Sequence, residues 1–125
     1  MNKPFKLLLI DDDEPVVANL CIFLRDKKYD VTSASDGLEG LKLLETDEQG
    51  FDLVITDMIM PQMSGGELFD KLKSLDPDVK ILLSSGYSID GEAREIINRG
   101  CKGFIQKPFT LTQFGEKIRE VLGAG

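Results

Sequence analysis

Residues 51–61 read FDLVITDMIMP. Leu53-Val54-Ile55-Thr56 is a short apolar run, bounded by turn signals and closed by one acid, Asp57. A run of this kind is the pattern of a central parallel strand, buried on both faces. Asp57 then stands at the carboxyl end of that strand, where open α/β sheets place their ligands. Met58-Ile59-Met60-Pro61 is expected to lead away as a loop, because the residue before a proline is pushed out of the helical region. Asp is also common in turns after strands. Taken alone, the stretch favours that plainer reading of Asp57, and only the rest of the chain changes it.

Upstream, Phe5 to Ile10 reads as a first strand, followed at once by Asp11-Asp12-Asp13-Glu14-Pro15. Asp13 or Glu14 can cap a helix, and proline is tolerated in its first turn. Val16, Val17, Leu20, Phe23 and Leu24 then recur at helical spacing. Tyr29 to Ala34 reads as a second strand, and Asp36-Gly37 opens a helix with Leu38, Leu41 and Leu44 on one face. Downstream, Ser64-Gly65-Gly66 leads into a helix aligning Leu68, Leu72 and Leu75, stopped by Asp76-Pro77. Val79 to Leu83 is a fourth strand, followed by Ser84-Ser85-Gly86-Tyr87. A weaker helix carries Ala93, Ile96 and Ile97. Gly103 to Ile105 is a short fifth strand, followed by Gln106-Lys107-Pro108-Phe109 and a last helix with Leu111, Phe114, Ile118 and Leu122 inward.

Strand and helix alternate five times, which calls for a parallel sheet with helices on both faces. The carboxyl ends of strands one, three, four and five then carry Asp11-Asp12, Asp57, Ser85 and Lys107 on one rim. Each has a plainer account as a cap, a turn or a solvated charge. Their convergence is what favours a site.

The composition sets the outer bounds. The 125 residues suit one domain with a real core. Fifteen Lys plus Arg against 22 Asp plus Glu leave a net charge of −7, which argues against a nucleic-acid or anionic-membrane surface. No apolar run approaches the roughly 20 residues that span a bilayer. Two cysteines, Cys21 and Cys101, stand outside metal-type spacings, and a reduced, cytoplasmic chain is the simplest expectation. There is no histidine, so His-based acid–base catalysis, Ser-His-Asp triads and His-ligated zinc are all excluded.

Three carboxylates on one rim repel one another, and something must offset them. Lys107 supplies one positive charge. A hard divalent cation supplies more, and oxygen-only ligands suit Mg²⁺. A cation beside Asp57 would neutralise a phosphoryl group in transfer, and Asp is a known covalent phosphoryl acceptor. Lys107 and the Ser85 hydroxyl could hold the remaining phosphoryl oxygens.

LLLIDDDEP, VITDMIMPQMSG, ILLSSGYS and GFIQKPF, in that order, resemble the receiver domain of the bacterial two-component response-regulator family over essentially the whole chain. The resemblance implies a flavodoxin-like, doubly wound (βα)5 sandwich whose five-stranded parallel sheet has the order 2-1-3-4-5. It implies one receiver domain over residues 1–125, acting as a phosphorylated signalling domain rather than a turnover enzyme. Asp57 maps to the phosphoacceptor. Asp11 and Asp12 map to the metal-binding acid pair, with the Ile59 backbone carbonyl as a further ligand. Asp13 makes the choice of pair ambiguous by one residue, and the two acids that follow the strand directly are taken. Ser85 maps to the switch hydroxyl and Lys107 to the conserved lysine, whose bond to Pro108 is typically cis. Phe104 maps to the switch aromatic; many members carry Tyr there, so a hydroxyl-mediated part of the switch is absent. Ile59 and Tyr87 occupy the two positions that flank the attacking water and tune the phosphoryl lifetime. The implied partners are a sensor histidine kinase or histidine phosphotransfer domain, with a protein target downstream. The chain is expected to be a free single-domain regulator or part of a larger protein, and its motifs look most like receivers attached to hybrid sensor kinases.

Three competing readings fare worse. A haloacid-dehalogenase-type phosphatase needs a second acid two residues after the first, where this chain has Ile59. A flavodoxin-like carrier needs a phosphate-cradling loop where Asp11-Asp12-Asp13 would repel phosphate, and no Gly-rich P-loop is present. The remaining alternative is a phosphorylation-independent interaction module with an idle site, against which the intact set of acids, hydroxyl and lysine argues.

Overall fold

The apolar runs form the strands. In the computed structural model, which describes residues 4–60, 63–86 and 91–123, they are β1 (Lys6–Ile10), β2 (Asp30–Ala34), β3 (Leu53–Asp57), β4 (Lys80–Ser85) and β5 (Gly103–Gln106). All four neighbouring pairs are parallel, and the order across the sheet is β2-β1-β3-β4-β5. The helices are α1 (Glu14–Asp26), α2 (Gly37–Thr46), α3 (Gly65–Leu75), α4 (Gly91–Asn98) and α5 (Leu111–Leu122). This is the doubly wound, flavodoxin-like architecture.

Short polar side chains set the starts of four helices. Asp13, Asp36, Ser64 and Thr110 each accept a backbone N–H in the first turn of α1, α2, α3 and α5, meeting donors that have no partner inside the helix. Gln113 returns the bond to the Thr110 N–H, completing a capping box.

Because side chains alternate along a strand, the sheet separates two apolar cores. One holds Leu8, Ile10, Val54, Ile81 and Leu83 against Leu44, Leu68, Phe69, Leu72 and Ile96 of α2, α3 and α4. The other holds Leu7, Leu9, Ile55, Leu82 and Ile105 against Leu20, Leu24, Phe114 and Ile118 of α1 and α5.

The structure departs from the sequence reading at two points. The segment after Asp57 is not a plain loop: Ile59–Met60 and Met63–Ser64 form a two-stranded antiparallel ladder that satisfies backbone groups locally. Leu38 and Leu75, aligned with apolar helix faces, and Leu111, read as inward, are exposed by 55%, 46% and 47%. Each lies in the first or last turn of its helix, beyond the stretch that packs on the sheet.

Candidate functional site

The site grows from the ends of four strands. Asp11 follows β1, and its N–H still donates to the Ala34 carbonyl of β2 at 3.2 Å, which holds the residue against the sheet. It is only 4% exposed. Its Oδ1 accepts the Asp13 N–H at 3.0 Å, and Oδ2 accepts from Lys107 Nζ at 3.1 Å. Asp13 itself is spent on the α1 cap, where its Oδ1 accepts from the Val16 N–H. The acid that made the choice of pair ambiguous is therefore occupied elsewhere.

Asp57 closes β3, and its Oδ2 accepts from the same Lys107 Nζ at 3.1 Å. The chain then turns sharply. The Met58 N–H donates to the Ser84 carbonyl at 2.8 Å, and the Met58 carbonyl accepts from the Gly65 N–H at 2.9 Å. A Cβ at Gly65 would lie 3.0 Å from the Met58 Cα and carbonyl oxygen, so only glycine lets α3 start this close to the end of β3. Lys107 follows β5, its N–H donating to the Ser85 carbonyl at 2.7 Å, and the Lys107–Pro108 peptide is cis.

One ammonium following β5 thus bridges two carboxylates at the ends of β1 and β3. Burial alone would push the Lys107 amine down, and this is its largest single influence. The hydrogen bond to Asp11 and the charges of Asp57 and Asp11 together outweigh it, and the amine ends above its ordinary value. Asp12, exposed, completes an acidic cluster: one carboxylate oxygen each from Asp11, Asp12 and Asp57 lies within 4.8 Å of the others. Three hard oxygen donors at this spacing fit a Mg²⁺-sized cation, and nothing softer is offered.

The structure brings Asp11, Asp12, Asp57 and Lys107 together as the sequence placed them. Ser85 ends β4 with 1% exposure and pairs with Gln106. Phe104, half-buried, pairs with Leu83 and packs on the core under α4. Ile59 opens the short ladder opposite Ser64. Tyr87 and the Ile59 side chain lie outside the described residues.

Two polar residues escaped the sequence reading. Thr56, fully buried, donates its hydroxyl to the Asp57 carbonyl at 3.1 Å. Ser84, also buried, is the register partner of Asp57. The signal for both was a polar residue directly preceding the site residue at the end of an apolar strand.

Comparison with known proteins was consistent with this geometry. The family model described as the response regulator receiver domain matches residues 7–119. Over 116 residues the chain is 34% identical to the sensor kinase CckA of Brucella abortus, covering 93% of this chain and 12% of that protein. It is 32% identical to the transcriptional regulatory protein GlrR of Escherichia coli, covering 97% of this chain and 27% of the relative. The chain therefore spans a minor part of either protein's length. A CheY-like response regulator receiver domain protein from Methanospirillum hungatei superposes with a TM-score of 0.89 at 30% identity, covering 97% of this chain and 95% of that one.

Proposed function

Because this chain belongs to the response-regulator receiver domain family of two-component signalling, we propose that residues 1–125 act as one phosphoacceptor domain, with Asp57 as the acceptor. The observation that carries this is the Lys107 ammonium, 3.1 Å from both Asp11 and Asp57 beside a third carboxylate. Among the described residues, one cation set against three acids leaves net negative charge, which suits a site completed by a divalent cation and a phosphoryl group.

The donor is a phosphohistidine on a sensor kinase or histidine phosphotransfer domain. An Asp57 oxygen attacks phosphorus in line; the new O–P bond forms as the P–N bond breaks, and the electron pair returns to the imidazole nitrogen. Asp11, Asp12, Asp57 and the Ile59 carbonyl would hold Mg²⁺, whose charge when bound offsets that of the transferring phosphoryl oxygens. Lys107 supports a phosphoryl oxygen from the opposite side, and the Ser85 hydroxyl supports another. Drawing Ser85 inward opens space into which Phe104 rotates, shifting the surface of α4, β5 and α5 between two populations. The output is a protein–protein contact, without direct nucleic-acid binding or membrane insertion, in the cytoplasm.

The test is incubation with acetyl phosphate and Mg²⁺, with Asp57→Asn alongside. Label on the wild type and none on the variant supports the reading. Full labelling of Asp57→Asn would place the acceptor elsewhere. Failure of the wild type to bind beryllofluoride would favour an idle site and a phosphorylation-independent module.

A further inference from the structure

Ser84 stands out among the polar residues of the sheet. Its Cα is in register with Asp57 across the β3–β4 pair. Register partners on neighbouring parallel strands lie about 4.8 Å apart and send their side chains to the same face. Ser84 therefore shares a face with Asp57, and with Ile55 and Leu82 one pleat below. On its other side it pairs with Ile105, two residues before Lys107. Every other side chain here is apolar or belongs to the charged site.

The residue is 5% exposed, yet among the described residues no group hydrogen-bonds its hydroxyl. Buried hydroxyls are normally paired, since leaving one unmet costs the full penalty of drying it. Every fully enclosed side-chain oxygen and nitrogen among the described residues does have a partner. The Ser84 hydroxyl must then be the part of the residue that keeps contact with solvent, at the strand end it shares with Asp57. An alanine there would carry no such polar cost.

We propose that Ser84 supplies a second hydroxyl to the site and donates it to the Asp57 carboxyl group while that group carries phosphate. This rests on Asp57 being the acceptor. In loss of the phosphoryl group, a water oxygen bonds to phosphorus, the phosphorus–Asp57 bond breaks, and its electron pair returns to the carboxylate, the water proton passing to the released phosphate or solvent. Negative charge grows on the Asp57 carboxyl group in that step. A donor aimed at it is stronger in the transition state than in the acyl phosphate, so Ser84 speeds departure.

Thr and Val have the same shape and differ only in the hydroxyl, which makes them the test. Ser84→Thr and Ser84→Val are labelled with acetyl phosphate and Mg²⁺, the donor is removed, and the decay of phosphoprotein is followed, with thermal melts as the control for folding. Ser84→Thr is expected to decay within about twofold of wild type. Ser84→Val is expected to decay about three- to tenfold more slowly, the range of one neutral hydrogen bond. Equal lifetimes in the Thr and Val variants would overturn the proposal and leave Ser84 a packing residue. A wild type that takes no label on Asp57 would overturn the acceptor reading itself, and the two failures are told apart by the wild-type lane.

Discussion

Replacing Lys107 by methionine keeps most of the length of the unbranched side chain and removes its charge. In the folded protein that charge sits 3.1 Å from a carboxylate of Asp11 and of Asp57. At an effective dielectric constant near 20, each pair is worth about 5 kcal/mol of direct attraction, most of which is cancelled by the cost of drying the charges. Stranding a buried carboxylate by removing its partner costs about 3–5 kcal/mol, and partial solvent access to Lys107 lowers this to about 2–3 kcal/mol. For a chain of 125 residues, unfolding entropy near 2.1 cal/mol/K per residue converts that loss to a melting temperature about 8–11 °C lower. Mg²⁺ at ten times its dissociation constant adds about 1.4 kcal/mol of stability, so the variant in Mg²⁺ should recover about half of its loss relative to wild type in chelator. The assay is thermal unfolding by circular dichroism at pH 7.5, in chelator and in excess Mg²⁺, with the exposed Lys102→Met as control. The sign of the pH dependence follows from the raised Lys107 amine. Its contribution is complete below the unfolded value of about 10.4 and is lost as pH rises through the higher folded value. The difference between wild type and variant should be flat from about pH 6 to 9 and shrink in strong alkali. If Lys107→Met melted within about 2 °C of wild type in chelator, the lysine would not be offsetting the acids and the electrostatic account of the rim would fall.

Gly65→Ala forces a methyl to 3.0 Å from Met58 backbone atoms; it should cost about 1–3 kcal/mol by urea unfolding and slow labelling of Asp57 as well. Ile59 has no side-chain atom that orients a water. Ile59→Asn should therefore shorten the phosphoryl lifetime, Tyr87→Ala should shorten it as well, and unchanged decay in both would dismiss water access as the control. Burial raises the Cys101 thiol, whose sulfur also contacts the Ile81 and Gly103 carbonyls at 3.2 and 3.3 Å. Iodoacetamide at pH 8 should accordingly label Cys101 far more slowly in the native protein than in urea; equal rates would show that its burial is transient.

The strands and the helix starts at Asp13, Asp36 and Ser64 were legible because apolar runs and capping residues act over a few neighbouring positions. The meeting of Asp11, Asp57 and Lys107 was legible for a different reason: in a parallel sheet every strand delivers its carboxyl end to the same rim. What escaped depends on register or end effects. Ser84 is visible as a neighbour of Asp57 only once Asp57 is paired with it across β3 and β4. Leu38, Leu75 and Leu111 fit the helical period, but a period does not show where packing stops. The ladder at Ile59–Met60 and Met63–Ser64 follows no apolar alternation, since two residues per strand are too few to display one.

The sheet also acts as a partition. Leu20, Leu24 and Phe114 on one side and Leu68, Phe69 and Ile96 on the other belong to separate apolar clusters, with the strands' backbone between them. Side chains that share no partner and lie about 10 Å or more apart contribute to stability nearly additively. Leu24→Ala and Leu72→Ala should therefore cost, in combination, the sum of their separate costs. A lineage can exchange residues across one helix layer while the opposite layer keeps its shape and stability, so the two surfaces of this protein are free to diverge at different rates.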